Sequence, residues 1–184
     1  MRSDRRLRTT REFLLTKRLL LCLAVAACGP TPYDHGSGPV AFAVAQDVPQ
    51  RDAVVRATKR ALTKLYGAAV EDTSATLRIA YEVTGCRPGV LGHVSSSAPR
   101  TVLVCPLAFA REPTFVLSAR YAVAHELVHA LGFGQHLDPS TGAVMAPRYE
   151  DWRGRVDAAS LLLGAGPEDY TAADVEAMTE AGIR

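Results

Sequence analysis

The sequence is organised around residues 125–136, which read His125-Glu126-Leu127-Val128-His129-Ala130-Leu131-Gly132-Phe133-Gly134-Gln135-His136. In a helix, side chains four positions apart lie on one face, so His125 and His129 can point at one metal ion with Glu126 beside them. Gly132 permits a left-handed residue that ends the helix and turns the chain back. The stretch therefore predicts a helix that carries a metal site.

The neighbours of these side chains argue against two histidines on a solvated helix face. The same spacing occurs by chance in unrelated helices, but here the flanking residues are apolar: Ala122, Val123, Ala124, Leu127, Val128, Ala130 and Leu131. Burying two imidazoles and a carboxylate among them costs free energy unless they are paired or bound to a metal. We therefore expect a buried metal site on a helix from about residue 117 to residue 131.

The chain upstream of this helix predicts one long helix and three strands. An apolar stripe of helical period runs from Asp47, the expected cap, to Gly67, the expected end. Alternation over residues 76–83 predicts a half-buried strand, and residues 89–94 and 101–105 predict two more. We expect an α+β fold, in which a small twisted mixed sheet packs on the long N-terminal helix and on the metal-site helix.

Composition and charge suit one globular domain and exclude a nucleic-acid partner. The chain has 184 residues, enough for one domain with a sizeable core. Residues 1–27 hold seven of its basic side chains and two of its acids, which leaves 14 basic and 17 acidic residues in the remainder. Because that remainder carries a formal charge of −3, no basic patch predicts nucleic-acid binding. We expect a monomer.

The N-terminus has the pattern of an export signal. Residues 1–18 are basic and polar, whereas residues 19–27 are apolar and then small, and this apolar run is too short to span a bilayer. The sequence Val-Ala-Ala-Cys28 resembles the lipobox of bacterial lipoproteins, in which the cysteine becomes lipidated. We therefore expect a signal peptide over residues 1–27, a flexible tether over 28–46, and an extracytoplasmic domain over 47–184, anchored by Cys28 to a bacterial membrane at its periplasmic or outer surface.

Two cysteines remain after removal of this signal. In an exported protein, Cys86 and Cys105 are expected to form a disulfide. Two buried free thiols are the alternative. Metal ligation by these cysteines is less favoured, because neither belongs to a Cys-x-x-Cys pair.

A second motif follows the metal-site helix. Residues 142–149 read Gly-Ala-Val-Met-Ala-Pro-Arg-Tyr. The pattern His-Glu-Leu-Val-His-Ala-Leu-Gly, followed by Val-Met-Ala-Pro-x-Tyr, resembles the metzincin clan of zinc endopeptidases, and within it the matrixins and their bacterial relatives. The resemblance covers about residues 76–182 and is specific at 125–149. It implies that Met145 forms a methionine turn beneath one zinc ion, and that Pro147 and Tyr149 line the pocket for the substrate side chain after the scissile bond.

The resemblance also implies a reaction and a substrate. Zinc held by His125 and His129 lowers the pKa of water towards about 7, and Glu126 then acts as the general base in hydrolysis of a protein or peptide. Residues 89–94 are similar to the matrixin edge strand that pairs with an extended substrate. Three cleft-lining residues are implied there: Gly92, His93 and Val94. No companion ligands for His93 are apparent, so we interpret it as structural or cleft-lining and not as a metal ligand.

The C-terminal segment completes the expected zincin-like architecture. Thr171 and Asp174 form a capping box before an apolar run, which predicts a helix. This segment resembles the final helix of matrixins, although an ordinary amphipathic helix accounts for the same pattern.

The third metal ligand departs from the family pattern. The pattern His-Glu-x-x-His-x-x-Gly-x-x-His/Asp places the last ligand where this chain has Gln135. One residue of extra chain near Gly134 would bring His136 to the metal instead, and Asp138 is a second candidate. If Gln135, a poor zinc ligand, occupies the position, the metal is weakly held. The alternative function is then a degenerate zincin, a zinc-binding or protein-binding surface lipoprotein without turnover.

Overall fold

The computed structural model describes residues 31–110, 115–141, 143–149 and 170–183. Contacts divide the chain into two units, Met1–Thr31 and Pro32–Arg184. Of the first unit the structure describes only the last residue, Thr31. The predicted signal peptide and the predicted lipidation site, Cys28, lie outside the described residues. Among the described helices, none has the length and apolar content needed to cross a bilayer.

The described residues contain five strands in one mixed, mostly parallel sheet: β1 (Val40–Val44), β2 (Ala69–Glu71), β3 (Arg78–Tyr81), β4 (Gly92–Val94) and β5 (Thr101–Val104). Their spatial order is β2-β1-β3-β5-β4. All neighbouring pairs are parallel except β4 and β5, which are antiparallel with Gly92 opposite Val104. The three predicted strands are therefore present, and β4 forms one edge of the sheet.

The helices in the described part of the chain are α1 (Arg51–Tyr66), α2 (Leu107–Ala110), α3 (Phe115–Ala130) and α4 (Ala172–Glu180), with a 3-10 turn at Pro139–Thr141. Helix α1 packs against β1 and β2, α3 packs against β4 and β5, and the two helices contact each other. The expected combination of a small mixed sheet with a long N-terminal helix and a helix that carries His125 and His129 is confirmed at this level. Each large apolar side chain buried between these layers contributes about 1.5–3 kcal/mol.

Strand β1 lies inside residues 28–46, the stretch predicted to be a flexible tether. It occupies an interior position of the sheet, between β2 and β3, and Val40 and Phe42 have no solvent exposure. Strands buried on both faces carry continuous apolar runs instead of alternation, and residues 40–45 form such a run. The sheet therefore begins at Val40, before the expected domain start at residue 47.

Helix α1 begins three residues later than expected and ends where expected. The prediction that Asp47 caps it is wrong: the N-cap is Gln50, in a left-handed conformation with φ of 52°, and no side chain bonds to the cap. Because Pro49 disfavours a helical conformation at Val48, the helix cannot start directly after Asp47. The predicted end is confirmed, since Gly67 has φ of 82° and its N–H donates to the carbonyl of Thr63.

Candidate metal centre

Helix α3 and the loop after it bring three histidines together. The Nε2 atoms of His125 and His129 lie 3.2 Å apart, as expected for side chains one helical turn apart. The Nε2 atom of His136 lies 3.2 Å from that of His125 and 3.3 Å from that of His129. These three side chains are called the histidine cluster below.

The geometry of the histidine cluster fits a tetrahedral metal ion. With zinc–nitrogen bonds of 2.0–2.1 Å, two tetrahedral nitrogen ligands are about 3.3–3.4 Å apart. The opposite ring nitrogens are held by backbone: Nδ1–H of His125 donates to the carbonyl of Val144 at 2.8 Å, and Nδ1–H of His129 donates to that of Phe133 at 2.6 Å. Both Nε2 atoms therefore present lone pairs to the centre of the cluster, where a cation relieves their repulsion.

The loop after α3 decides which of the three candidate third ligands reaches this centre. Gly132 adopts φ of 113°, and Leu137 N–H then donates to the carbonyl of Met145, which holds the loop against the next turn. His136 reaches the cluster. Gln135 is exposed, and the carboxylate of Asp138 accepts a hydrogen bond from the backbone N–H of Ser140 at 2.7 Å.

Met145 lies in a turn that is fully buried and tied to the C-terminal helix. The backbone N–H groups of Val144 and Met145 each donate to the carboxylate of Asp174 at 3.0 Å. Asp174 is fully buried, and it also completes the predicted capping box of α4 with Thr171. The capping box was predictable from four neighbouring residues, whereas contacts across 29 and 30 residues leave no local pattern.

Asp174 is thereby linked to the first histidine through one peptide group. The N–H of Met145 and the carbonyl of Val144 belong to the same peptide unit; the N–H donates to Asp174, and the carbonyl accepts from His125 Nδ1. Hydrogen bonds in such a chain polarise one another. Asp174 is therefore connected to the imidazole of His125 by a chain of hydrogen bonds without contacting it. Tyr121 supports the same region, since its hydroxyl donates to the carbonyl of Ala146 at 2.8 Å.

Burial sets the protonation states at this centre. Burial lowers the pKa of His125 to about 3 and also lowers that of His129, against the effect of their hydrogen bonds to backbone carbonyls. Both imidazoles are therefore neutral near pH 7, the form that binds metals. Burial raises the pKa of Glu126 to about 7. A nearby cation would favour its ionised form.

A cleft of about 300 Å³ opens beside Glu126. It is lined by β4 and the segment before it, by α3, and by the segment after Met145, including Gly92, His125, Glu126, Pro147 and Tyr149. A Cβ atom at Gly92 would lie 3.3 Å from Cγ of Glu126 and 3.1 Å from the carbonyl oxygen of Leu103. The absence of a side chain at Gly92 thus lets β4 approach the side chain of Glu126 closely.

Two predicted cleft residues, His93 and Val94, are not part of the described lining of this cleft. Successive side chains of a strand point to opposite faces, so His93 points away from the side on which Gly92 meets Glu126. Its Nε2 atom lies 3.3 Å from a carboxylate oxygen of Glu82, and its Nδ1 atom lies 3.9 Å from Sγ of Cys105. The structure also brings Cys105 and Cys86, the predicted pair, to disulfide distance, with Sγ atoms 2.00 Å apart.

Comparison with known proteins assigns no family. No family model matches the sequence, and no curated protein matches it.

Proposed function

We propose that the protein is a zinc-dependent endopeptidase that hydrolyses protein or peptide substrates. One observation carries the proposal: three imidazole nitrogens converge at 3.2–3.3 Å at the side of a cleft that also contains a buried carboxylate, Glu126. His125, His129 and His136 would hold the ion. When bound, zinc supplies Lewis-acid chemistry, which polarises a carbonyl and lowers the pKa of water.

Glu126 moves the proton in this proposal. Its carboxylate accepts a proton from the attacking water and delivers it to the amine nitrogen as the peptide C–N bond breaks. Burial raises the pKa of Glu126 to about 7 in the chain without metal, and a bound cation would favour the ionised form that accepts the proton. Glu126 lies next to His125 in sequence but outside the histidine cluster, which suits a base better than a ligand.

The edge strand would bind the substrate main chain. Among the described strands, β4 has β5 as its single neighbour, so its other side offers N–H and C=O groups to an extended peptide. A substrate side chain would enter the cleft bounded by Pro147 and Tyr149. The rings of Tyr149 and Tyr121 pack edge to face there, with centroids 5.4 Å apart, so this wall favours an apolar side chain.

The proposed location is extracytoplasmic, with Cys28 as the lipid anchor to a bacterial membrane. Its support is the signal-like pattern of residues 1–27 and the small residues before Cys28. The cysteine pair at disulfide distance agrees with an oxidising compartment.

Glu126→Gln tests the reaction directly. The variant should keep stoichiometric zinc, since the three histidines remain, and should lose cleavage of a fluorescence-quenched peptide library. Glu180→Gln, at an exposed position in α4, is the matched control and should retain both properties. Cleavage that survives in Glu126→Gln would exclude Glu126 as the base.

A degenerate zincin without turnover is the second candidate function. It is favoured by the exposure of His136, which comes from a loop one residue later than the metzincin pattern requires. Stoichiometric zinc in the unaltered protein, together with no cleavage of the peptide library, would support this candidate over the endopeptidase.

A further inference from the structure

Three more metal-ligating side chains meet at the end of the β4–β5 pair. Cys86, His93 and Cys105 each place a ligand atom within 4.8 Å of the others. We propose that this sulfur cluster is a second metal site, for a thiophilic divalent cation such as zinc, which becomes available when the Cys86–Cys105 disulfide is reduced. It shares no residue with the histidine cluster and does not depend on the proposed peptidase function.

The imidazole of His93 is oriented for such a site. Its Nδ1 atom lies on the sulfur side, 3.9 Å from Sγ of Cys105, while its Nε2 atom lies 3.3 Å from a carboxylate oxygen of Glu82. Donation of Nε2–H to that carboxylate leaves the Nδ1 lone pair directed at the sulfurs. A carboxylate that holds the far nitrogen is the usual outer partner of a metal-bound histidine.

Gly85 makes room for that carboxylate. A Cβ atom at position 85 would lie only 2.3 Å from Oε1 of Glu82 and 2.6 Å from its Cδ. Because these atoms end a flexible side chain, an added methyl group would displace the carboxylate and leave the three ligands intact. The position of Glu82 beside His93 therefore depends on a residue without a side chain.

The chemistry of opening the site balances with a dithiol reductant. One reductant thiolate attacks Sγ of Cys86, which is partly exposed, and Cys105, which is buried, leaves as the thiolate. The second reductant thiol resolves the mixed disulfide, so the reductant becomes a cyclic disulfide and the protein gains two electrons and two protons. Metal binding then releases both thiol protons. Two thiolates and a neutral imidazole neutralise a divalent cation, which suits a partly buried site.

The required movement is small. Two sulfur ligands of a tetrahedral zinc ion, each at 2.3 Å, are roughly 3.7–3.8 Å apart. Breaking the disulfide must therefore be followed by separation of the two Sγ atoms to that distance. Rotation of two side chains provides this distance, since the Cα atoms are already 5.8 Å apart.

Cobalt binding tests the proposal, because thiolate ligands produce charge-transfer absorption that an all-histidine site lacks. The full chain is reduced with a dithiol, freed of reductant under argon, and titrated with Co²⁺. The reduced protein should bind one more ion than the oxidised protein and should develop this absorption. His93→Gln, which removes a ligand, should weaken cobalt binding by at least tenfold. Gly85→Ala, which displaces the Glu82 carboxylate from His93, should weaken it by about tenfold.

Two controls separate this site from the histidine cluster. His136→Gln should retain the charge-transfer absorption, and His35→Gln, which changes a histidine outside both clusters, should bind both ions normally. Absence of the absorption in reduced protein, or an absorption unaffected by His93→Gln, would overturn the proposal. If reduction unfolds the chain, added zinc must restore the fold, measured by far-ultraviolet circular dichroism; failure to do so would also overturn it.

Discussion

The histidine cluster and the sulfur cluster both contain imidazoles that are oriented by a partner on the far ring nitrogen, but the partners differ. For His125, His129 and His93, the ring nitrogen that faces away from the cluster centre has a partner, so that the other nitrogen points inward. The partners are backbone carbonyls for His125 and His129, and the carboxylate of Glu82 for His93. A substitution at Glu82 removes the partner of His93, whereas no substitution removes a backbone carbonyl. The partner that orients the imidazole can therefore be deleted by mutation in the sulfur cluster but not in the histidine cluster.

Strand β4 contacts the cleft and the sulfur cluster through different residues. Gly92 lies against Glu126 and the cleft, and the next residue, His93, lies against Cys105. Alternation along a strand places neighbouring residues on opposite faces. One three-residue strand therefore serves both regions, and substitutions on it should affect one region at a time.

The largest expected effect is a substitution that disables the histidine cluster and leaves the sulfur cluster unchanged. His136→Ala should abolish cleavage and release zinc from the histidine cluster, because only two of the three convergent nitrogens remain. The charge-transfer absorption of the reduced chain should not change. Metal content by mass spectrometry and peptide cleavage measure the outcome, with Gln135→Ala as the matched control at the neighbouring exposed position. Zinc loss in Gln135→Ala but not in His136→Ala would reverse the ligand assignment.

The second expected effect concerns the stability of the metal-free protein. The pKa of Glu126 is raised from 4.5 to about 7 in the folded chain, so the unfolded state ionises first as pH rises. The contribution of Glu126 to the free energy of unfolding should therefore fall by on the order of 3 kcal/mol between pH 4.5 and pH 7. Glu126→Gln should remove this fall, measured by urea unfolding with a chelator present. An unchanged pH profile in the variant would show that Glu126 is not the group responsible.

The pKa of His125 is shifted in the opposite direction, so its contribution to stability changes with pH in the opposite sense. It is lowered from 6.5 to about 3, so its neutral buried form contributes stability above pH 6.5 that is lost as pH falls towards 3. The two ranges overlap between pH 4.5 and 6.5, which is why the Glu126 measurement requires the variant and not only the pH profile.

A third test asks whether Asp174 acts on the histidine cluster or only on the end of α4. Asp174→Asn should weaken zinc binding by about 10–100-fold, because an amide cannot accept from both Val144 and Met145 while keeping its bonds to Thr171. Thr171→Ala removes the cap but leaves the turn contacts, so it should cost about 1 kcal/mol of stability with unchanged zinc affinity. Equal zinc affinities in the two variants would make Asp174 a helix cap alone.

The smallest expected effect tests whether a substitution on β4 affects only one of the two regions. Gly92→Ala should reduce cleavage by about tenfold or less, since the new methyl group displaces the Glu126 side chain by only a few tenths of an ångström. Cobalt binding to the reduced sulfur cluster should be unaffected. Gly38→Ala, where an added Cβ meets nothing within 4 Å, is the control. A Gly92→Ala variant that loses the sulfur cluster but keeps full cleavage would contradict the alternation argument.

Local patterns predicted much of the framework. The stop of α1 at Gly67, the extent of α3 and the capping box of α4 all depend on residues within one or two helical turns. The start of α1 was predicted wrongly, because Pro49 restricts Val48 and overrides the cap at Asp47. Strand β1 was not predicted, since the Gly- and Pro-rich residues before it resembled a tether.

By itself, the sequence determined that His125 and His129 lie together with Glu126 beside them, because a helix converts a spacing of four residues into a shared face. Only the tertiary structure decided the rest. It brought His136, and not Gln135 or Asp138, to the two histidines, connected Asp174 to Met145, and collected Cys86, His93 and Cys105 into one cluster. These contacts join residues on different elements. Their distances depend on loop conformation and sheet register, which the spacing of residues along the sequence does not predict.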